Sequence, residues 1–334
     1  AAISLKGIFK KIPNFLILML STCYSLMSFA TSQIEIKTWL DVFILAPLIL
    51  YGLHLLLLKK NRVLYFTSLS ILFIQNYYFG YIMAIFLIFW FFVQTTWDFK
   101  NRIKTFLDFT IVSILSGVTS LIMILPTFLD LKTHGEKLTS VDRLFTEKTW
   151  FLDIYAKNFI GSFDTTKYGS IPMIYVGIVP LLLAILFFTL KSIKFHVKLS
   201  YFFLIIIFIA SFSLERLDLF WQGMHAPNMF LHRYSWLFSL FIIFLAAESL
   251  QRLKQIKFKN LIISFTILSI GFILVFVFRK HYDFLGPVNY ILTLEFLLAY
   301  LLIFGTFTKS FISKRVFYIT TLAFVCFEVS LNAF

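Results

Sequence analysis

Clusters of lysine and arginine punctuate this chain at alternate breaks in its apolar sequence. Lys6/Lys10/Lys11, Lys59/Lys60/Arg62, Lys100/Arg102/Lys104, Lys191/Lys194/Lys198, Arg252/Lys254/Lys257/Lys259 and Lys309/Lys314/Arg315 all mark one side. Between the breaks run apolar segments near 13–29, 38–58, 63–75, 80–96, 104–127, 172–190, 199–214, 233–250, 260–278, 290–308 and 316–333. Apolar runs of about 17–25 residues match the hydrocarbon core of a bilayer at about 1.5 Å rise per residue. A Lys/Arg excess in short loops marks the cytoplasmic face. The pattern predicts an all-α, polytopic transmembrane helical bundle of about 11 spans, one for each segment.

Composition closes the other routes. The chain is 60% hydrophobic and 20% aromatic but only 14% charged, with 45 phenylalanines among 334 residues. A soluble domain of that length cannot hide so much apolar surface. The formal charge of +14 would point to nucleic acid in a soluble chain. Here the cations flank the spans, so no nucleic-acid partner is expected and the membrane itself is the partner. Cys23 and Cys326 lie in apolar runs, without metal-ligand spacing or a disulfide framework. No zinc motif, phosphate-cradling glycine loop or nucleophile elbow is present, and no metal or cofactor is predicted. The chain opens on Ala1 in a basic stretch, without Met or a cleavable signal, and stops at Phe334 while still apolar. It reads as a fragment lacking both ends, a single transmembrane domain over 1–334.

The basic clusters at 59–62 and 100–104 both belong to the cytoplasm, so the apolar stretch between them must cross an even number of times. The break falls at Asn76-Tyr77-Tyr78-Phe79-Gly80-Tyr81. Two short helices meeting near the outer face satisfy this, and unwound backbone there needs protein or water partners, so the hairpin tip lines a cavity. Two external loops are predicted, at 128–171 and 215–232. The first is long and mixed in charge and carries Gly161-Ser162-Phe163-Asp164, which fits a functional loop with short helices.

The densest polar cluster in this lipid-soluble chain runs from Phe220 to Trp236. It holds Trp221, His225, His232, Arg233, Tyr234 and Trp236 beside a span. Arg, Trp and Tyr are ordinary anchors at membrane boundaries. Two histidines and an arginine among them favour a binding role instead. Arg233 can hold a phosphate bidentately, and His225 or His232 can donate to phosphate or a sugar hydroxyl. Trp221, Tyr234 and Trp236 offer faces to a sugar ring or isoprenoid.

Two external carboxylates are candidate bases. Asp41, in Trp39-Leu40-Asp41 before Pro47, stands near the outer end of a span, where helix capping explains it equally well. Asp164 lies before a helix start marked by Pro172, as a sugar-hydroxyl acceptor, a base or a plain loop residue. Glu295 and Glu328 lie within apolar runs, with Asp108 and Glu248 near the cytoplasmic boundary. Intramembrane acids raise proton or ion coupling, and pairing between helices explains them as well.

Taken in order, Trp39-Leu40-Asp41 with Pro47-Leu48, Asn76-Tyr77-Tyr78-Phe79-Gly80-Tyr81, Gly161-Ser162-Phe163-Asp164 leading to Tyr175-Val176-Gly177, and Trp221-Gln222-Gly223 with Pro227-Asn228 and His232-Arg233-Tyr234-Ser235 resemble the YfhO family of bacterial membrane proteins, within the GT-C glycosyltransferase superfamily. The resemblance runs from about residue 20 onward, and order and spacing carry it. It implies a GT-C-like fold in the bacterial cell membrane, with its active face extracytoplasmic. It further implies an inverting glycosyltransferase that moves a sugar from an undecaprenyl-phosphate donor to a cell-wall or teichoic-acid-type polymer. In that scheme a carboxylate activates the acceptor hydroxyl and cations receive the leaving phosphate. The implied donor-binding set is Arg233, His232, His225, Trp221, Tyr234, Asn76 and Tyr78, and the candidate catalytic acids are Asp41 and Asp164. The main catalytic carboxylate of the superfamily lies in the first external loop, so it is expected upstream of Ala1.

Two rival functions fit the same residues. A transporter or lipid flippase would use the broken hairpin with Glu295 and Glu328 as its coupling pathway. A non-catalytic protein would bind the lipid carrier without transfer.

Overall fold

A computed structural model describes residues 1–59, 61–97, 102–135, 139–141, 143–146, 149–165, 169–227 and 229–333. The regular elements among them are helices: α1 (Ala2–Ile8), α2 (Asn14–Ser25), α3 (Ser28–Ser32), α4 (Lys37–Leu57), α5 (Val63–Gln75), α6 (Tyr77–Thr95), α7 (Arg102–Thr119), α8 (Leu121–His134), α9 (Asp153–Ala156), α10 (Ile178–Thr189), α11 (Phe195–Ser213), α12 (Glu215–Trp221), α13 (Ser235–Leu250), α14 (Phe258–Val277), α15 (Pro287–Thr308) and α16 (Lys314–Ala333). Each apolar segment of the sequence contains helix, 104–127 sharing two and 172–190 becoming helical only from Ile178. Six of them, α4, α6, α11, α14, α15 and α16, are long and apolar enough to cross a bilayer, and the bent pair α7–α8 makes up to seven. The other four, α2, α5, α10 and α13, are apolar helices of 10–17 residues.

Burial separates centre from rim. Helix α13 is buried along nearly its whole length and carries no polar face, the mark of a core helix. It packs on α10 and α2, and Ser249 Oγ donates to the Leu183 carbonyl across the α10 contact at 2.7 Å. Helices α11, α14, α15 and α16 bury a third or less of their residues and present Ile, Leu and Phe outward. That surface needs lipid around it.

The hairpin predicted between the basic clusters at 59–62 and 100–104 is present. Helices α5 and α6 meet at Asn76, whose backbone is extended and whose side chain accepts from the Phe79 N–H at 3.0 Å as an N-cap. Gly52 lets α4 lie close against α5, because a Cβ there would sit 2.5 Å from the Tyr65 nitrogen.

The sequence segment 104–127 is not one straight span. Helix α7 ends at Thr119, and α8 leaves at 70°. The bend is held by hydroxyls rather than by Pro126: Ser120 Oγ donates to the Ser70 carbonyl at 3.1 Å, and Ser70 Oγ lies 3.1 Å from Thr119 Oγ1. The loop expected from 128 therefore begins later, since α8 continues to His134. The loop expected at 215–232 likewise opens with a helix, α12.

The described parts of 139–165 lie at the end of the bundle that carries α12. The Thr139 N–H donates to the Met224 carbonyl, the Arg143 N–H to Glu215 Oε2, and Thr146 Oγ1 to the Phe212 carbonyl. The short helix α9 seats Tyr155 on Gly271 of α14, where a side chain would collide with the ring.

One buried stretch is not helical. Residues 170–177 run through the core without regular secondary structure before α10 begins. Their backbone groups find partners in protein, as non-helical chain at such depth requires. Ser235 Oγ and Ser239 Oγ donate to the Met173 and Ile174 carbonyls, and the Ser28 N–H to that of Tyr175. Gly177, at φ +100, makes the turn into α10. Glu328 of α16 then caps that helix: its Oε1 accepts from the Ile178 N–H at 2.6 Å and from Tyr175 OH at 2.5 Å, and Oε2 from Tyr300 OH at 2.5 Å.

Candidate functional site

Arg233 sits at the turn into α13, half-buried in a box of aromatic rings. Its guanidinium carbon is 5.3 Å from the Trp39 ring centroid and 5.4 Å from that of Tyr78. Phe230 closes on Trp39 edge-on at 5.6 Å. Helix α4 supplies Trp39, the start of α6 supplies Tyr78, and the loop before α13 supplies Phe230. The hairpin is tied to this loop by Tyr81 OH, which donates to the Phe220 carbonyl at 2.8 Å.

The guanidinium interacts with the Tyr78 hydroxyl as well as with its ring. Its Nη2 donates to the Met229 carbonyl at 3.2 Å, while Nε is buried without a hydrogen-bond partner. Among the described residues no carboxylate forms an ion pair with Arg233. Three residues on, one helical turn away, the indole N–H of Trp236 is buried and also unpartnered. A buried donor left unpaired costs about 1–3 kcal/mol, and the turn into α13 carries two of them, one on the guanidinium itself and one on the indole.

His232, predicted to donate beside Arg233, is engaged elsewhere. It is buried, and its Nδ1 lies 2.7 Å from Asp218 Oδ1. Tyr234 OH donates to the same oxygen at 2.9 Å, and Gln222 Nε2 to Oδ2 at 2.7 Å. With Asp218 as acceptor, Nδ1 carries the proton, leaving Nε2 as the atom through which His232 can act. Trp221, 2% exposed, stacks on Tyr234 at 5.1 Å and donates from Nε1 to Ser211 Oγ. Trp221 and Tyr234 are thus the floor under the loop rather than open faces for a ligand.

The loop is held in unusual backbone geometry. Met224, Phe230 and His232 all adopt positive φ, with Gly223 beside them. A non-glycine residue there costs about 1–3 kcal/mol and persists when its surroundings over-determine it. Asp218 ties both ends of this loop, through Gln222 before it and His232 and Tyr234 after it. Its signal was Gln222 one turn on, at i, i+4, in a helix leading straight into the loop.

The remaining predicted residues are dispersed. Asn76 is the helix cap described above, and its Nδ2 donates to the Thr38 carbonyl at 3.3 Å. It thereby fixes the Trp39 strut from the hairpin side. His225 is half-buried in the same loop, and Asn228 lies outside the described residues. Asp41 is exposed, two residues beyond Trp39 and hence about 200° round the helix from the box. Asp164 is in a different place. Its Oδ1 accepts from Lys157 Nζ at 2.6 Å, and its Oδ2 from the Ile171 N–H at 2.9 Å. Lys157 is 1% exposed, and burial draws its ammonium below the usual lysine range, against the pull of Asp164.

The acids weighed for coupling are equally placed by packing. Glu328 is the helix cap. Glu248 pairs with Arg252 at 2.6 Å, and Asp108 with Arg62 at 2.9 Å. Glu295 is exposed on the outer face of α15. These acids do not converge on one cavity.

No curated protein and no solved structure matches the chain. The sequence model of one family, bacterial membrane protein YfhO, matches residues 1–334. The order of aromatic and cationic motifs that builds the Arg233 box is therefore carried on a chain that belongs to the YfhO family of bacterial membrane proteins.

Proposed function

We propose that this chain is the membrane part of a glycosyltransferase that takes its sugar from a polyprenyl-phosphate donor on the extracytoplasmic side. The observation that carries the reading is Arg233, a cation in an aromatic box with no carboxylate partner among the described residues and a buried Nε left unpaired. A sugar leaving a lipid phosphate puts developing negative charge on a bridging oxygen. A preset guanidinium in a site poor in water stabilises that charge far better than one in bulk solvent. Aromatic faces around it suit the apolar flank of a lipid or the face of a sugar ring. In this reading the chain crosses the membrane about eleven times, once for each apolar segment, in a GT-C-like bundle. The reaction inverts the anomeric carbon, and the acceptor is a cell-wall or teichoic-type polymer.

The carboxylates favour a second reading beside it. Asp41 faces away from the box, Asp164 is paired with Lys157, and Asp218 is taken up by His232, Tyr234 and Gln222. Binding of the lipid carrier without transfer needs no base.

One experiment separates the readings. Membranes containing the full-length protein are given a radiolabelled polyprenyl-phosphate sugar, and label is followed on the carrier and on polymer. Transfer that disappears in Arg233→Ala, with insertion unchanged, supports the enzyme. Carrier retention without transfer in the wild type supports binding alone. Equal retention and transfer in wild type and variant would remove Arg233 from both.

A further inference from the structure

A second cationic site lies at the same end of the bundle, built from parts the Arg233 box does not use. Helix α14 ends in Phe276-Val277-Phe278 and turns through Arg279-Lys280-His281. These residues line an open groove of about 600 Å³ whose other wall is Trp150. Trp150 is set firmly: its ring lies 4.5 Å from His281 and 5.1 Å from Phe278. The Trp150 backbone N–H donates to Asp153 Oδ2 at 2.7 Å, while Asp153 Oδ1 accepts from Tyr282 OH at 2.8 Å. One buried carboxylate thus fixes both sides of the groove.

The three basic side chains are exposed, and no ion pair to any of them is formed among the described residues. Arg279 lies over the Phe276 ring at 5.1 Å. Below the cations, Ile273, Phe276, Val277 and Phe278 are between 43% and 64% exposed on the rim of the bundle. The order along the helix, apolar and aromatic surface first and cations at its end, is the order of a phospholipid from acyl chain to phosphate. The position is also costly for topology. Lys/Arg excess elsewhere makes the opposite end cytoplasmic, and short loops on the far side ordinarily avoid adjacent cations. Cations kept where insertion disfavours them need a use.

We infer that this groove binds the phosphate of an anionic phospholipid in the outer leaflet, with Arg279 and Lys280 on the phosphate, His281 and Trp150 flanking it and the α14 rim against the acyl chains. Such a lipid is a resident at the edge of the bundle rather than a reactant in the Arg233 box.

The test uses the full-length protein reconstituted in nanodiscs of phosphatidylcholine with one-fifth phosphatidylglycerol, released and weighed by native mass spectrometry. Wild type should keep phosphatidylglycerol over phosphatidylcholine by at least about fivefold, a preference worth about 1 kcal/mol. Arg279→Gln/Lys280→Gln/His281→Gln should lose that preference, and Trp150→Ala should weaken it. Lys314→Gln/Arg315→Gln, which removes two cations from the opposite end, should leave it unchanged. Equal loss in that control would reduce the effect to bulk charge and overturn the site. Displacement of the lipid by soluble glycerol phosphate would reassign the phosphate to a water-borne ligand and overturn the lipid. No preference in the wild type would overturn both.

Discussion

Asp218 accepts on one oxygen from His232 and Tyr234 together, at 2.7 and 2.9 Å, and so joins the end of α12 to the start of α13. The loop between them closes over the Arg233 box. Asp218 therefore helps to set where Phe230 and Arg233 stand, its own oxygens being taken up by Gln222, His232 and Tyr234. Asp218→Ala leaves three buried donors, on His232, Tyr234 and Gln222, unpaired, each at about 1–3 kcal/mol. It should raise protease sensitivity across 222–234 and lower carrier affinity, while Asp218→Asn, which keeps an acceptor, does less of both. Unchanged proteolysis in the alanine variant would remove Asp218 from this role.

Arg233→Lys is the sharper companion to the alanine test. It keeps the charge but gives up the planar fork that lies on Trp39 and Tyr78 and can grip two phosphate oxygens. Carrier affinity should fall about tenfold or more, a loss of about 1.4 kcal/mol. A lysine variant as active as wild type would mean that charge alone suffices.

The Lys157–Asp164 pair predicts stability and its pH dependence. Removing one member of a buried pair costs about 3–5 kcal/mol, so Asp164→Asn should lower the melting temperature clearly, and replacing both residues by apolar ones should cost less. In the folded state burial holds the lysine below its unfolded value of about 10.4,. Between those two values the unfolded chain binds the extra proton, so stability rises with pH there. Asp164→Asn removes the opposing pull and should widen the window downward. Its melting temperature should recover as pH is raised from about 7 toward about 10. A flat profile would show that Lys157 escapes to solvent in the variant.

Glu328 distinguishes a structural carboxylate from a coupling one. Glu328→Leu strands Tyr175, Tyr300 and the Ile178 N–H, and should destabilise by several kcal/mol, summing about 1–3 for each. Glu328→Gln retains acceptors for part of the set and should keep the fold and any transfer activity. Ion- or proton-dependent transport that Glu328→Gln abolishes in a folded protein would restore the coupling reading.

Helix positions were legible because apolar runs and basic clusters follow directly from the bilayer, and the α5–α6 hairpin emerged from charge parity alone. The 70° bend at Ser120 was not legible. It depends on hydroxyls of α5 meeting those of α7 across fifty residues of sequence, and a hydropathy run carries no sign of that. The same holds at the site. Trp39, Tyr78 and Arg233 were each singled out by residue type, but only packing shows that they form one box. The pairing of Asp164 with Lys157 was not legible, because nothing in the external loop 128–171 marks which of its cations turns inward. His232 looked available because its partner, Asp218, stands fourteen residues away on a short helix that the apolar pattern does not mark.

The Glu328 cap also bears on the order in which the chain is made. Helix α10 leaves the ribosome about 150 residues ahead of its cap, as their positions imply. Until α16 arrives, the start of α10 has an amide and a tyrosine without their partner inside the membrane. Helix α16 is therefore a keystone: a nascent chain arrested before it would expose polar backbone to lipid, a feature that membrane quality control could use to recognise a chain in which α10 is still uncapped.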